Sequence, residues 1–261
     1  MPNLMNVVIG TVISLPISIV LLVWMLHYKK DRKFPRWSVV IMLVGGAVSA
    51  GFAMLAGMGI QQLARLIGGQ AVDGVSALTA ETTAQGAVGM QVFNAAFGAF
   101  VIAALCEEVF KFLAMVLASK RRGTIRNLFD AVLCGAIVGL GFEILEDIIY
   151  AVDAVSVVAT VVRALTPFHF LFGALMGYFY GKAKMTGKKG YYVPALLIPI
   201  LVHGLYDFGN ALMPMNDLLF GLFLLLTLVM DAFTIVMIVR IHKWSKSEQM
   251  LAPTEFYQKA K

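Results

Sequence analysis

The stretch Ala104–Met115 reads ALCEEVFKFLAM and carries Glu107, Glu108 and Lys111 inside an otherwise apolar run. That run, from about 91 to 118, exceeds the roughly 20 mostly apolar residues that a helix needs to cross a bilayer. Each charge at the bilayer centre costs roughly 2.5 to 3.5 kcal/mol on insertion scales, so charged groups within such a run are candidates for function rather than decoration.

The rest of the chain carries the same signal. Of its 261 residues 60% are hydrophobic and 14% charged, against about 25% charged in soluble domains. With a strongly positive mean hydropathy, this is the composition of an integral membrane protein. The bilayer ruler finds about seven apolar runs, at approximately 6–27, 38–60, 91–118, 128–151, 164–181, 192–213 and 217–240. The expected fold is an all-α polytopic membrane helix bundle of about seven transmembrane helices. A single transmembrane domain over 1–261 is expected, with the candidate catalytic residues on the helices at about 91–213 and a short cytoplasmic tail at 242–261. The fifth run is the shortest; an earlier start near Val155 would put Pro167 at a kink.

The net charge of +6 does not point to nucleic acid, because the basic residues fall in short clusters between apolar runs. Lys29, Lys30, Arg32, Lys33 and Arg36 follow the first run, Lys120, Arg121, Arg122 and Arg126 the third, Lys182, Lys184, Lys188 and Lys189 the fifth, and Arg240, Lys243 and Lys246 the last. The alternate loops hold little more than Arg65 and Arg163. Under the positive-inside rule the N-terminus lies outside and the C-terminus in the cytoplasm. The first run has its basic cluster after it rather than before, so it reads as an anchor and not a secretory signal. Cys106 and Cys134 sit within apolar runs as small buried hydrophobes, with no disulfide framework implied. The loop at about 61–90 is Gly-, Ala- and Thr-rich and nearly uncharged, open to being disordered or helical at the interface.

Depth ties the polar residues together. At about 1.5 Å per residue from the cytoplasmic end of each helix, Glu107 comes out roughly 16 Å in, His203 roughly 18 Å, His169 roughly 20 Å and Glu146 roughly 24 to 28 Å. Glu107 with Lys111, and His203 with Asp207, share a helical face at i, i+4. Glu143 and Glu146 are one turn apart, and Lys111 can neutralise part of the Glu107/Glu108 pair. Taken singly, each has a plain structural reading, an intrahelical ion pair or an interhelical hydrogen bond. Isolated Asp231 fits a packing or water contact. Several carboxylates and two histidines from four helices at similar depth are harder to explain as separate packing events. Such a cluster suits hydrolysis, with a buried carboxylate as general base and imidazoles stabilising an oxyanion or binding a metal. Buried acids and histidines also relay protons in transporters, although no two-half symmetry is visible here.

Four stretches resemble the PrsW family of intramembrane proteases, distantly related to the CAAX-prenyl-type membrane proteases: EEVFK (Glu107–Lys111), GFEILEDIIY (Gly141–Tyr150), RALTPFHF (Arg163–Phe170) and HGLYD (His203–Asp207). The resemblance implies a family-type endopeptidase site of Glu107, Glu108, Lys111, Glu146, His169, His203 and Asp207. Glu107 or Glu108 would activate water, and Asp207 would orient His203. His169 and His203 would stabilise the oxyanion or, with Glu146, hold Zn²⁺. The alternative to zinc is the metal-independent glutamate chemistry of the prenyl-type relatives. Asp147 stands where the family usually has Asn, and Glu143 adds a carboxylate where a small residue is common. The implied substrate is a membrane-anchored protein such as an anti-sigma factor, in a bacterial cytoplasmic membrane. The competing classes are a proton- or ion-coupled transporter and a non-catalytic membrane scaffold.

Overall fold

The computed structural model describes residues 4–28, 33–68, 86–153, 161, 163 and 165–252. Lys29, Lys30, Arg32, Val155, the 69–85 part of the expected outer loop and the end of the tail lie outside them. No strand occurs among the described residues. The order is α1 (Leu4–His27), α2 (Arg36–Gly68), α3 (Gly86–Phe97), a π-helical segment (Gly98–Leu105), α4 (Cys106–Ser119), α5 (Leu128–Asp153), α6 (Phe168–Thr186), α7 (Tyr192–Leu212), α8 (Asp217–Trp244) and the short α9 (Glu248–Leu251).

Each expected apolar run falls largely on helix among the described residues, and the molecule is an all-α membrane helix bundle. By length and composition four helical stretches can cross a membrane: Trp37–Leu66, Leu128–Ala151, Lys189–Met215 and Asp217–Trp244. Polarity is arranged as lipid requires. Leu222, Leu225, Leu228, Phe233 and Val236 point outward from α8, whereas Glu108, Lys111, Glu143, Asp147, His169 and His203 are buried.

The bundle is organised around α5, 83% of whose apolar span is buried, against 17% for the span of α8. Glycine makes this possible. A Cβ on Gly135 would overlap the Gly173 carbonyl, and one on Gly139 would overlap the carbonyl of His169. In return, a Cβ on Gly173 would meet the Gly135 carbonyl, and one on Gly177 the Ala131 carbonyl. The two Gly-x-x-x-Gly faces therefore bring α5 and α6 into backbone contact, the close approach that small residues allow between membrane helices. On the other side Gly141 abuts the Leu43 backbone and Gly46 the Val138 backbone, which seats α2.

Three details depart from the sequence expectation. The third run is not a continuous α-helix, because the π-helical turns at Gly98–Leu105 lead directly into Glu107. Such turns are rare and recur at functional sites. The fifth helix begins at Phe168, with Pro167 as its N-cap (φ −75°, ψ 67°) instead of a kink within it. Proline lacks an N–H and clashes with the preceding turn, so starting a helix there costs less than bending one. The tail is not a plain extension: α8 runs on to Trp244, and α9 folds back so that Asn127 Nδ2 donates to the Leu251 carbonyl at 3.3 Å.

Candidate active site

Four elements converge on one polar centre. The first turn of α4 supplies Glu107 and Glu108, with Lys111 one turn on. The last turns of α5 supply Glu143, Glu146 and Asp147. His169 is the second residue of α6, and α7 supplies His203 and Asp207.

Lys111 is the hub of the first half. Its Nζ, wholly buried, donates to Glu108 Oε1 at 2.8 Å, to Glu107 Oε2 at 3.4 Å and to His169 Nδ1 at 2.6 Å. It also lies 3.7 Å from the centroid of the Phe142 ring. His203 Nδ1 lies 2.9 Å from Glu108 Oε1, while its Nε2 lies 3.1 Å from Asp207 Oδ2 and 3.8 Å from Glu107 Oε2. The two imidazoles approach edge to face, with ring centroids 5.2 Å apart. Phe172 stacks on His203 at 5.0 Å and fixes its plane. Gly204 lets α7 close on the π-helical segment, since a Cβ there would run into the Phe100 ring.

The second half is built differently. His169 Nε2 pairs with Glu146 Oε2, and Arg163 reaches over both neighbouring acids, with Nη2 2.7 Å from Glu146 Oε2 and Nε 3.1 Å from Asp147 Oδ1. The guanidinium lies 4.1 Å above the Tyr150 ring. Glu143 Oε2 accepts the His169 backbone N–H at 2.8 Å. That donor belongs to the first turn of α6, which has no capping side chain of its own; a carboxylate there meets both the orphan N–H and the positive end of the helix dipole.

A cavity of about 640 Å³ leads to these groups and is lined by Glu107, Glu143, Glu146, His169, His203 and Asp207, with Asn94, Tyr150, Arg163 and Tyr206 among its other walls. Glu108 is wholly buried behind it, and Glu107 keeps 16% of its side chain accessible. Of the paired acids, Glu107 is therefore the one that can meet a water or substrate.

All seven residues of the expected site are brought together. Glu146 stands against His169 and Arg163, whereas the ligand-capable atoms that lie mutually within 4.8 Å belong to Glu107, His169 and His203. Asp231 does not line the cavity. Sequence reasoning misses two features. Arg163 reads there only as a sparse charge of an outer loop; a lone arginine six residues ahead of His169, on the side poor in basic residues, is the available signal. Asn94, buried with an Oδ1 that has no partner, carries none. The two departures from the family pattern find partners: Asp147 in Arg163, and Glu143 in the His169 N–H.

The donor chemistry fits a divalent cation. Among the described residues of this centre, Glu107, Glu108, Glu143, Glu146, Asp147 and Asp207 are matched by two permanent cations, Lys111 and Arg163. Low-dielectric surroundings carry such an excess only with bound protons or a cation. One carboxylate and two imidazoles make up a three-ligand set of the kind catalytic zinc uses. One buried acceptor, Glu108 Oε2, has no hydrogen-bond partner.

Fold and site thus define a helical membrane protein with a buried, metal-capable polar centre reached by a cavity. Residues 35–238 match the PrsW family intramembrane metalloprotease, and the chain belongs to that family. It is 38% identical over 120 residues to a protein named Protease PrsW from Geobacillus kaustophilus, covering 44% of this chain and 53% of that one. It is 33% identical over 118 residues to the Protease PrsW of Halalkalibacterium halodurans, covering 44% and 54%. A third, from Bacillus subtilis, is 33% identical over 117 residues, covering 43% and 53%. The chain spans about half the length of the curated relatives it matches. No solved structure is a significant match.

Proposed function

We propose that this protein is an intramembrane endopeptidase that hydrolyses peptide bonds of membrane-anchored proteins, with residues 1–261 acting as one transmembrane domain. The observation that carries the reading is the meeting of Glu107, His169 and His203 ligand atoms within 4.8 Å of one another on the wall of a cavity. These three would hold Zn²⁺, which when bound supplies Lewis acidity and a more acidic water.

The chain's own groups do the remaining work. Glu107 takes the proton of the attacking water; a carboxylate has two oxygens, so holding an ion leaves one to accept. Glu108, tied to Lys111 and His203, fixes the position of both. Glu146 holds the His169 ring by its Nε2–H, and Asp207 does the same for His203, the outer support that keeps imidazoles oriented.

The family resemblance extends the reading to membrane-bound anti-sigma factors as substrates and to signalling by regulated proteolysis. It also extends it to a bacterial cytoplasmic membrane, and the apolar runs and basic loops favour about seven crossings with the N-terminus outside. The test is cleavage of a membrane-anchored substrate by purified protein in liposomes. Wild type cleaves it, and Glu107→Ala, His169→Ala and His203→Ala fold but do not. Full cleavage by these variants refutes the assignment, and proton or ion flux without cleavage replaces it with transport.

A further inference from the structure

His169 has one lone pair to offer a metal, and it is already in use. A neutral imidazole carries an N–H on one ring nitrogen and a lone pair on the other. Nε2 faces the Glu146 carboxylate, an acceptor also held by Arg163, so the N–H lies there. The lone pair lies on Nδ1, where the Lys111 ammonium, which can only donate, sits 2.6 Å away. The same Nζ reaches Glu107 Oε2 at 3.4 Å and Glu108 Oε1 at 2.8 Å. Its three N–H donors are matched by three acceptors, two of which belong to the candidate metal ligands.

We infer that Lys111 is the resident cation of the metal-free site and competes with a divalent ion for the Glu107 and His169 ligand atoms. This rests on the reading of the site as a metal centre. Lysine suits the role as a compact point charge on a flexible four-carbon stem, able to withdraw without moving the helix that bears it. While it stays, it stabilises acids that would otherwise stand unpaired in a wholly buried place. When an ion arrives, its charge opposes binding at close range. Lys111 therefore sets a threshold of free metal below which the site holds itself together without one.

The test uses full-length protein in detergent, with Zn²⁺ titrated against a chromophoric chelator and thermal melting followed with and without Zn²⁺. Lys111→Met is expected to bind Zn²⁺ at least tenfold more tightly than wild type, about 1.4 kcal/mol. Its metal-free Tm is expected to be lower, with a larger rise on adding Zn²⁺. Equal or weaker Zn²⁺ binding by folded Lys111→Met overturns the inference and leaves the metal reading intact. Absence of stoichiometric binding by both proteins overturns the metal reading as well. If Lys111→Met does not fold, Glu108→Gln and Glu108→Gln/Lys111→Met are compared instead. The same tenfold gain in the double variant supports the competition, and equal affinities refute it.

Discussion

The two halves of the polar centre are held together by different means. On α4 and α7 half of the pairs are set within one helix, Lys111 with Glu108 at i, i+3 and with Glu107 at i, i+4, and His203 with Asp207 at i, i+4, while Lys111 to His169 and His203 to Glu108 and Glu107 cross between helices. On α5 and α6 every bond crosses between elements. Arg163 clamps Glu146 and Asp147, Glu146 holds His169, and Glu143 caps the helix on which His169 sits. The first half is partly prearranged by helical geometry. The second exists only when α5 and α6 are docked.

That contrast is open to experiment, and the largest effect belongs to the group both halves serve. Glu107→Gln keeps the shape and removes the proton acceptor, so cleavage in liposomes should fall about 10²–10⁴-fold with little change in Tm. Removing metal with 1,10-phenanthroline should abolish turnover, and added Zn²⁺ should restore it; cleavage that survives full chelation would turn the site into a glutamate-only hydrolase.

Next come changes confined to the docked half. Arg163→Gln loosens Glu146, the outer partner of His169, and should cost up to about 10–100-fold in kcat, the usual effect of losing such a partner, with Arg163→Lys recovering only part of it. An effect of Arg163→Gln on Tm alone would make the clamp a packing device. Gly139→Ala forces a Cβ against the His169 carbonyl. It should lower stability by about 1–3 kcal/mol and reduce cleavage with it, whereas Gly51→Ala, where the added Cβ meets nothing within 4 Å, should do neither. The smallest effect is expected for Asp147→Asn, since Glu146 still holds Arg163, whose side chain is 31% accessible: about 0.5 kcal/mol, roughly a twofold change in rate.

The same contrast separates what the amino-acid sequence makes legible from what it hides. Bilayer thickness fixes helix length, so the apolar runs mark their helices, and lipid makes every charge within them conspicuous. Pairs at i, i+3 and i, i+4 are legible for the same reason, because the helix itself sets their separation. The bonds of Arg163 are not, since they depend on how that residue meets the end of α5. Nor is the use of Glu143 as a cap, because it follows from Pro167 starting α6 without a capping side chain. The π-helical turns ahead of Glu107 leave no mark in spacing or composition. Glu146 is expected beside the histidines and is there, but on the far nitrogen of His169, a distinction that depends on side-chain direction rather than depth.

Zinc-edge X-ray absorption on the purified, Zn²⁺-loaded protein tests most directly whether side chains from separate helices meet at one centre. The account predicts nitrogen and oxygen neighbours at about 2.0–2.1 Å, with imidazole scattering that diminishes in both His169→Ala and His203→Ala. Sulfur neighbours at about 2.3 Å, or a spectrum unchanged by both substitutions, would contradict it.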